Sequence, residues 1–124
     1  MFKAGDVIRI FDRETERPQH KRHICICIQR RLLLRINTDS YWKPRHRILL
    51  KDNPVILDYD SWVELRQLYK APVSDWQDAQ RRADNPLGRL SPMEATKIAV
   101  AARAAATISE EYQDVIWQAL ANLS

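Results

Sequence analysis

Residues 24–38, ICICIQRRLLLRINT, decide how this chain folds. The first five alternate Ile and Cys, so a strand built from them is apolar on both faces and β-branched at every second position. Such a strand has little solvent on either side and belongs in the middle of a sheet. Gln29-Arg30-Arg31 is too short and too polar to be anything but a turn, so residues 32–38 return as the antiparallel neighbour. In the returning strand Leu33, Arg35 and Asn37 share one face, and Leu32, Leu34, Ile36 and Thr38 share the other. Cys25 and Cys27 lie two apart and should point to one face. With no distant cysteine to pair with, they read as reduced core thiols of a cytoplasmic protein.

Working outward, Gly5-Asp6 marks a turn, and Val7, Ile8, Ile10 and Phe11, with Arg9 among them, form a first strand. Residues 12–21 are a polar connection containing Pro18. Beyond the hairpin, residues 39–46 form a polar loop carrying Tyr41 and Trp42. Residues 47–50 make a short strand, Asp52-Asn53-Pro54 turns the chain, and residues 61–68 give a last strand with Trp62 in it. Short strands at this spacing suggest a meandering barrel of the SH3-like kind. After Pro72 the pattern becomes helical. Ser74 with Gln77 fits a capping box, and Ser91-Pro92-Met93-Glu94 fits one better, with proline at the first helical position. Ile98, Ala99, Ala102, Ala105 and Ala106 keep helical spacing. Ser109 opens a third helix whose stripe, Tyr112, Val115, Ile116, Ala119, Leu120 and Leu123, needs a cover. The expected fold is therefore mainly β with C-terminal helices, an α+β chain. A barrel spans residues 1–72, and a helical extension over 73–124 packs on the barrel or on a partner.

The chain has 124 residues, 45% hydrophobic and 29% charged, which suits one ordinary globular core. No run approaches the roughly 18 apolar residues of a membrane span, and residues 1–10 lack a signal-peptide core, so a cytoplasmic location without membrane partners is expected. Charge is uneven. Residues 1–50 carry twelve Lys or Arg against five Asp or Glu, while residues 51–124 carry eight against eleven. A basic half of this kind attracts phosphate polymers, although solvated surface charge gives the same count.

Several chemistries are excluded by residue type. Gly5 and Gly88 are the only glycines, so there is no Gly-rich phosphate loop for a P-loop or dinucleotide enzyme. Ser61 has no glycine elbow. Cys25, Cys27 and the three histidines would have to converge from a buried strand and two loops, so no metal and no cofactor is expected. Asp58 and Asp60 read as a turn and a cap rather than as paired acids. Tyr41 and Trp42, among Lys43, Arg45 and Arg47, combine stacking surface with cations, as sites for unpaired bases do; alternatively Trp42 caps the barrel core.

Gly5-Asp6-Val7-Ile8, then Lys21-Arg22-His23 leading into ICICI, then Arg35-Ile36-Asn37-Thr38, then the segment DYDSWVEL at 58–65 occur in that order. Together they resemble the PemK/MazF family of small toxin ribonucleases, over roughly residues 3 to 70, and Leu90-Ser91-Pro92-Met93-Glu94 resembles that family's helix opening. The resemblance implies a homodimeric SH3-like barrel that cleaves single-stranded RNA without metal, paired with a cognate antitoxin protein. It places the active centre at Arg22, before the central strand, and at Thr38, at the end of the next.

The chemistry of these residue types agrees with that assignment. Attack by a 2′-hydroxyl concentrates negative charge on phosphate oxygens, which a guanidinium such as Arg22 can meet with a fork of hydrogen bonds. A hydroxyl such as Thr38 can bond a phosphate oxygen, and His20 or His23 can exchange protons near neutral pH. Lys21, Tyr41, Trp42, Lys43 and Arg45 complete the expected substrate contacts. Without the resemblance, Arg22 is equally a solvated charge and Thr38 a β-former ending a strand. His23, where the family has proline, and the long helical tail support a second reading: a non-catalytic barrel that binds nucleic acid or a protein. A third makes the Ala-rich helices the functional part, docking a partner helix.

Overall fold

The computed structural model describes residues 1–39 and 41–123; Ser40, inside the expected loop 39–46, and Ser124, the last residue of the expected helical extension, lie outside the described residues. The chain forms a curled antiparallel sheet, a half-barrel, followed by three helices. Its elements are β1 (Asp6–Asp12), β2 (Gln19–Cys27), β3 (Leu32–Asn37), β4 (Arg45–Ile48), β5 (Ser61–Glu64), β6 (Tyr69–Lys70), α1 (Val73–Arg81), β7 (Gly88–Arg89), α2 (Pro92–Arg103) and α3 (Glu110–Leu120). Strand order is β4-β5-β3-β2-β1-β7, with β6 also on β3.

The hairpin of residues 24–38 forms as its sequence requires: Ile24 pairs with Leu34 and Cys25 with Leu33, and Arg31 takes the turn at positive φ. The curl comes from β3, which gives Leu32 and Leu33 to β6 but Ile36 and Asn37 to β5. Both faces of the sheet are covered. Ile24, Leu32, Leu34 and Ile36 pack with Ile98, Ala99 and Ala102 of α2 and with Ile116 and Leu120 of α3. On the other face Ile8, Ile10, Cys25 and Leu33 pack with Tyr69 and with Trp76 of α1. Each fully buried aliphatic side chain contributes about 1.5–3 kcal/mol. The apolar stripe of α3 is thus spent on the protein's own core, with Tyr112, Val115, Ala119 and Leu123 at its margin.

Ser91 and Ser109 cap α2 and α3, their hydroxyls accepting from the amides of Glu94 at 3.1 Å and Tyr112 at 3.2 Å. The Ser74 cap does not form. Pro72 takes the N-cap of α1 and the helix has begun before Ser74, because proline with its fixed φ stands naturally at a helix start. Helix α2 ends at Arg103, leaving Ala106 exposed in the following turn.

Two departures in β2 matter most. The register shifts between Cys25, opposite Leu33, and Cys27, opposite Leu32. This bulge inserts one residue, so the cysteines do not share a face: Cys25 lies in the core under α1, while Cys27 packs half-buried against the α2–α3 core. The strand also begins at Gln19, well before the apolar run, because its polar half pairs with β1: Ile10 with Lys21, Phe11 with His20 and Asp12 with Gln19. Residues 19–23, expected mostly as loop, therefore extend the sheet beyond its apolar core, and this extension carries the site. Among the described residues no helix is long and apolar enough to cross a membrane.

Candidate functional site

Alternation along the polar half of β2 sends His20 and Arg22 to the side of Ile24, and Lys21 and His23 to the side of Cys25. The end of β3 divides in the same way, with Ile36 and Thr38 on the first side and Arg35 and Asn37 on the second. Two recesses result.

The first is a cavity of about 240 Å³ between the start of β2, the end of β3 and the loop before β5, and its walls include His20, Lys21, Arg22, Thr38, Asp58 and Tyr59. It brings together Arg22 and Thr38, which come from different strands. Thr38 and His20 are exposed, and the Arg22 side chain keeps 21% exposure. Arg22 Nη2 donates to Asp58 Oδ2 at 2.6 Å, while its buried Nε has no partner among the described residues. Asp58 thus holds a carboxylate against the guanidinium at the mouth of this cavity. Asp60 accepts from the Leu50 amide, ten residues upstream, at 2.8 Å, in place of the local cap expected of it.

The second side carries a charge network whose inner members are buried. The Asp12 side chain, fully buried, accepts from Arg35 Nε and from Arg35 Nη2 at 3.1 Å, and His23 Nε2 lies 2.8 Å from it. Arg35 also reaches Glu14 at 3.0 Å and stacks over the Tyr69 ring at 4.7 Å. Asn37 Nδ2 donates to Glu64 Oε1 at 3.1 Å and accepts from Lys21 Nζ. Burial alone would raise the Asp12 carboxyl, but hydrogen bonds from His23 and Arg35, with their charges, hold it well below the usual carboxylate range. Burial opposes the Arg35 charge, yet its bonds to Asp12 and Glu14 raise it further above the ordinary guanidinium value. For Lys21, burial prevails and lowers the amine despite the nearby Asp12 and Glu64.

His23 therefore leaves the substrate-contact set. Its ring has no exposure, and its nitrogens are taken up by Asp12 and, at 3.0 Å, by the Lys21 carbonyl. The strand simply runs on past the point where a loop was expected, and the alternation turns His23 inward. His20 stays outward, edge-on to Phe11.

The aromatic loop lies beside the second recess, a cleft of about 620 Å³ whose walls include Lys21, Arg35, Asn37, Trp42, Glu64 and Arg66. Tyr41 is 76% exposed and meets Trp42 edge to face at 4.7 Å. Trp42 joins neither hydrophobic core among the described residues; Arg66 lies over its ring at 4.3 Å. Lys43 is exposed, and Arg45 shares the Trp62 ring with Arg47, each at 4.5 Å. Sequence reading missed Asp58 as the partner of Arg22, and missed Asp12, Glu64 and Arg66 altogether. One signal was available: Arg35 and Asn37 fall on the same face as Leu33, and a buried guanidinium requires carboxylates.

No protein-family model, curated protein or solved structure matches the chain.

Proposed function

We propose that the protein is an endoribonuclease that cuts single-stranded RNA without metal, a toxin of the PemK/MazF kind whose half-barrel is that family's SH3-like barrel. The observation carrying this reading is that Arg22 and Thr38, contributed by two strands, line one solvent-open cavity with His20. In the reaction the 2′-oxygen of a ribose bonds to the adjacent phosphorus and the 5′-oxygen leaves, giving a cyclic phosphate and a free 5′-hydroxyl. Arg22, once Asp58 yields, donates its fork to the phosphate oxygens as their charge grows. The Thr38 hydroxyl donates to the same group, and His20 is placed to take the 2′-hydroxyl proton or to return one to the leaving oxygen. The protein works as a homodimer in the cytoplasm, with an antitoxin protein as its regulator.

The purified chain should cut labelled single-stranded RNA in EDTA, and Arg22→Ala should lower the rate about 10²- to 10³-fold with the circular dichroism spectrum unchanged. Undiminished cutting by the variant would remove Arg22 from the chemistry and the proposal with it. One observation favours the second reading, a barrel that binds without turnover: the 2.6 Å contact in which Asp58 already occupies Arg22. Salt-sensitive RNA binding with no cleavage selects that alternative.

A further inference from the structure

The geometry points to the cleft on the Lys21 side as a pocket for one unpaired base of the bound strand, with guanine preferred. This rests on the RNA reading of the neighbouring cavity and adds to it a sequence requirement. The two recesses share a rim, since Gln19, Lys21 and Asp39 line both. A strand whose phosphate sits at Arg22 passes over this shared rim.

The character of the cleft suits a base and not a second phosphate. Its walls carry four carboxylates and four cations, so a phosphate would meet as much repulsion as attraction, while a neutral ring with donors and acceptors meets partners for both. Arg66 supplies the platform: its guanidinium lies on the Trp42 ring at 4.3 Å, its side chain is 41% exposed, and its buried Nε makes no hydrogen bond among the described residues. A guanidinium backed by an indole is a stacking surface for an unpaired base.

The floor gives the selectivity. Glu64, 3% exposed at its side chain, spends Oε1 on Asn37, while among the described residues Oε2 accepts a long hydrogen bond from Arg35 at 3.5 Å and lies 3.9 Å from Arg66. That oxygen retains acceptor capacity. Guanine alone among the four RNA bases places two adjacent N–H donors, N1 and N2, on its pairing edge. Lys21 Nζ has three hydrogens and spends one on Asn37, which leaves a donor for the guanine O6.

The test uses the whole chain. Single-stranded RNAs that differ at one nucleotide should be cut, or bound, about tenfold or more better with guanine than with adenine beside the cleaved or contacted phosphate, and inosine should lose much of that gain. Trp42→Ala and Arg66→Ala should flatten the preference through KM or Kd. In parallel, millimolar guanosine monophosphate should shift the Trp42 indole resonance more than the adenosine, cytidine and uridine monophosphates do. Cutting or binding with no base preference overturns the pocket and leaves the ribonuclease reading standing. A guanine preference that survives in both variants places recognition elsewhere and also overturns it. Absence of any RNA cutting or binding defeats the reading of the Arg22 cavity, and equal shifts from all four mononucleotides then defeat the pocket independently.

Discussion

The two sides of the β2 extension differ sharply, although alternate residues of one short segment supply both. Arg22 faces an open cavity and meets one mostly exposed carboxylate, whereas His23, the next residue, is sealed against Asp12 beneath Tyr69. The difference is set by what faces each side. Asp12, Glu14 and Glu64 supply the charge that lets Arg35 lie buried, and on the Arg22 side a loop carboxylate leaves solvent access. One side buries a charge network that holds the sheet together where its apolar residues run out and opens into the cleft beside Trp42 and Arg66, and the other is open at Arg22 itself.

The largest effect should come from cutting the buried network. Asp12→Ala strands the Arg35 guanidinium and the His23 ring in the interior, and should cost about 3–5 kcal/mol in urea unfolding. Arg22→Ala removes a partly exposed ion pair, for which about 1 kcal/mol or less is expected. Equal losses from the two substitutions would erase the distinction between the sides.

Acid should reveal the same asymmetry. The Asp12 carboxyl is held below its unfolded value, so the folded state binds fewer protons there than the unfolded chain. Its contribution to stability is complete above the unfolded carboxylate range, near pH 4, and is lost as pH falls below that toward the folded value. Urea midpoints at pH 7, 5, 4 and 3 should fall mainly between the last two. A midpoint indifferent to pH would show that the buried carboxylate is not ion-paired in solution.

A smaller effect of opposite sign is expected on the open side. Asp58→Asn frees the Arg22 fork, and because Asp58 is 67% exposed the relief is worth at most about 1 kcal/mol, or about fivefold tighter RNA binding. Filter binding at two salt concentrations reads this directly. Weaker binding by the variant would mean that Asp58 orients Arg22 rather than competing for it.

Much of this frame was legible in the residues. ICICI placed the central strand, the polarity of Gln29-Arg30-Arg31 placed the turn, and the serines at 91 and 109 placed two helix starts, because each signal is local. Arg22 and Thr38 came through resemblance alone, and alternation then accounts for their sharing a side. The network around Asp12 was legible only in its Arg35 and Asn37 members, which share the face of Leu33, and not in its carboxylates. Asp12, Arg35 and Glu64 come from three strands, and nothing local tells a polar residue that extends a sheet from one in a loop. That ambiguity also turned His23 outward in the sequence reading.

The bulge in β2 offers the finest test of how sequence alternation maps onto sides. Unbroken alternation would put both thiols under α1, protected alike. With the extra residue, Cys25 is fully buried and its thiol is pushed far up by burial, while Cys27 keeps partial exposure beside α3. Since the thiolate is the reacting species, Cys27 should react with a maleimide in the native protein and Cys25 only after unfolding. Mass spectrometry should therefore find one adduct per chain under native conditions and two in denaturant. Equal protection of both would mean that the strand runs straight, and two fast adducts would mean that the core under α1 opens to solvent.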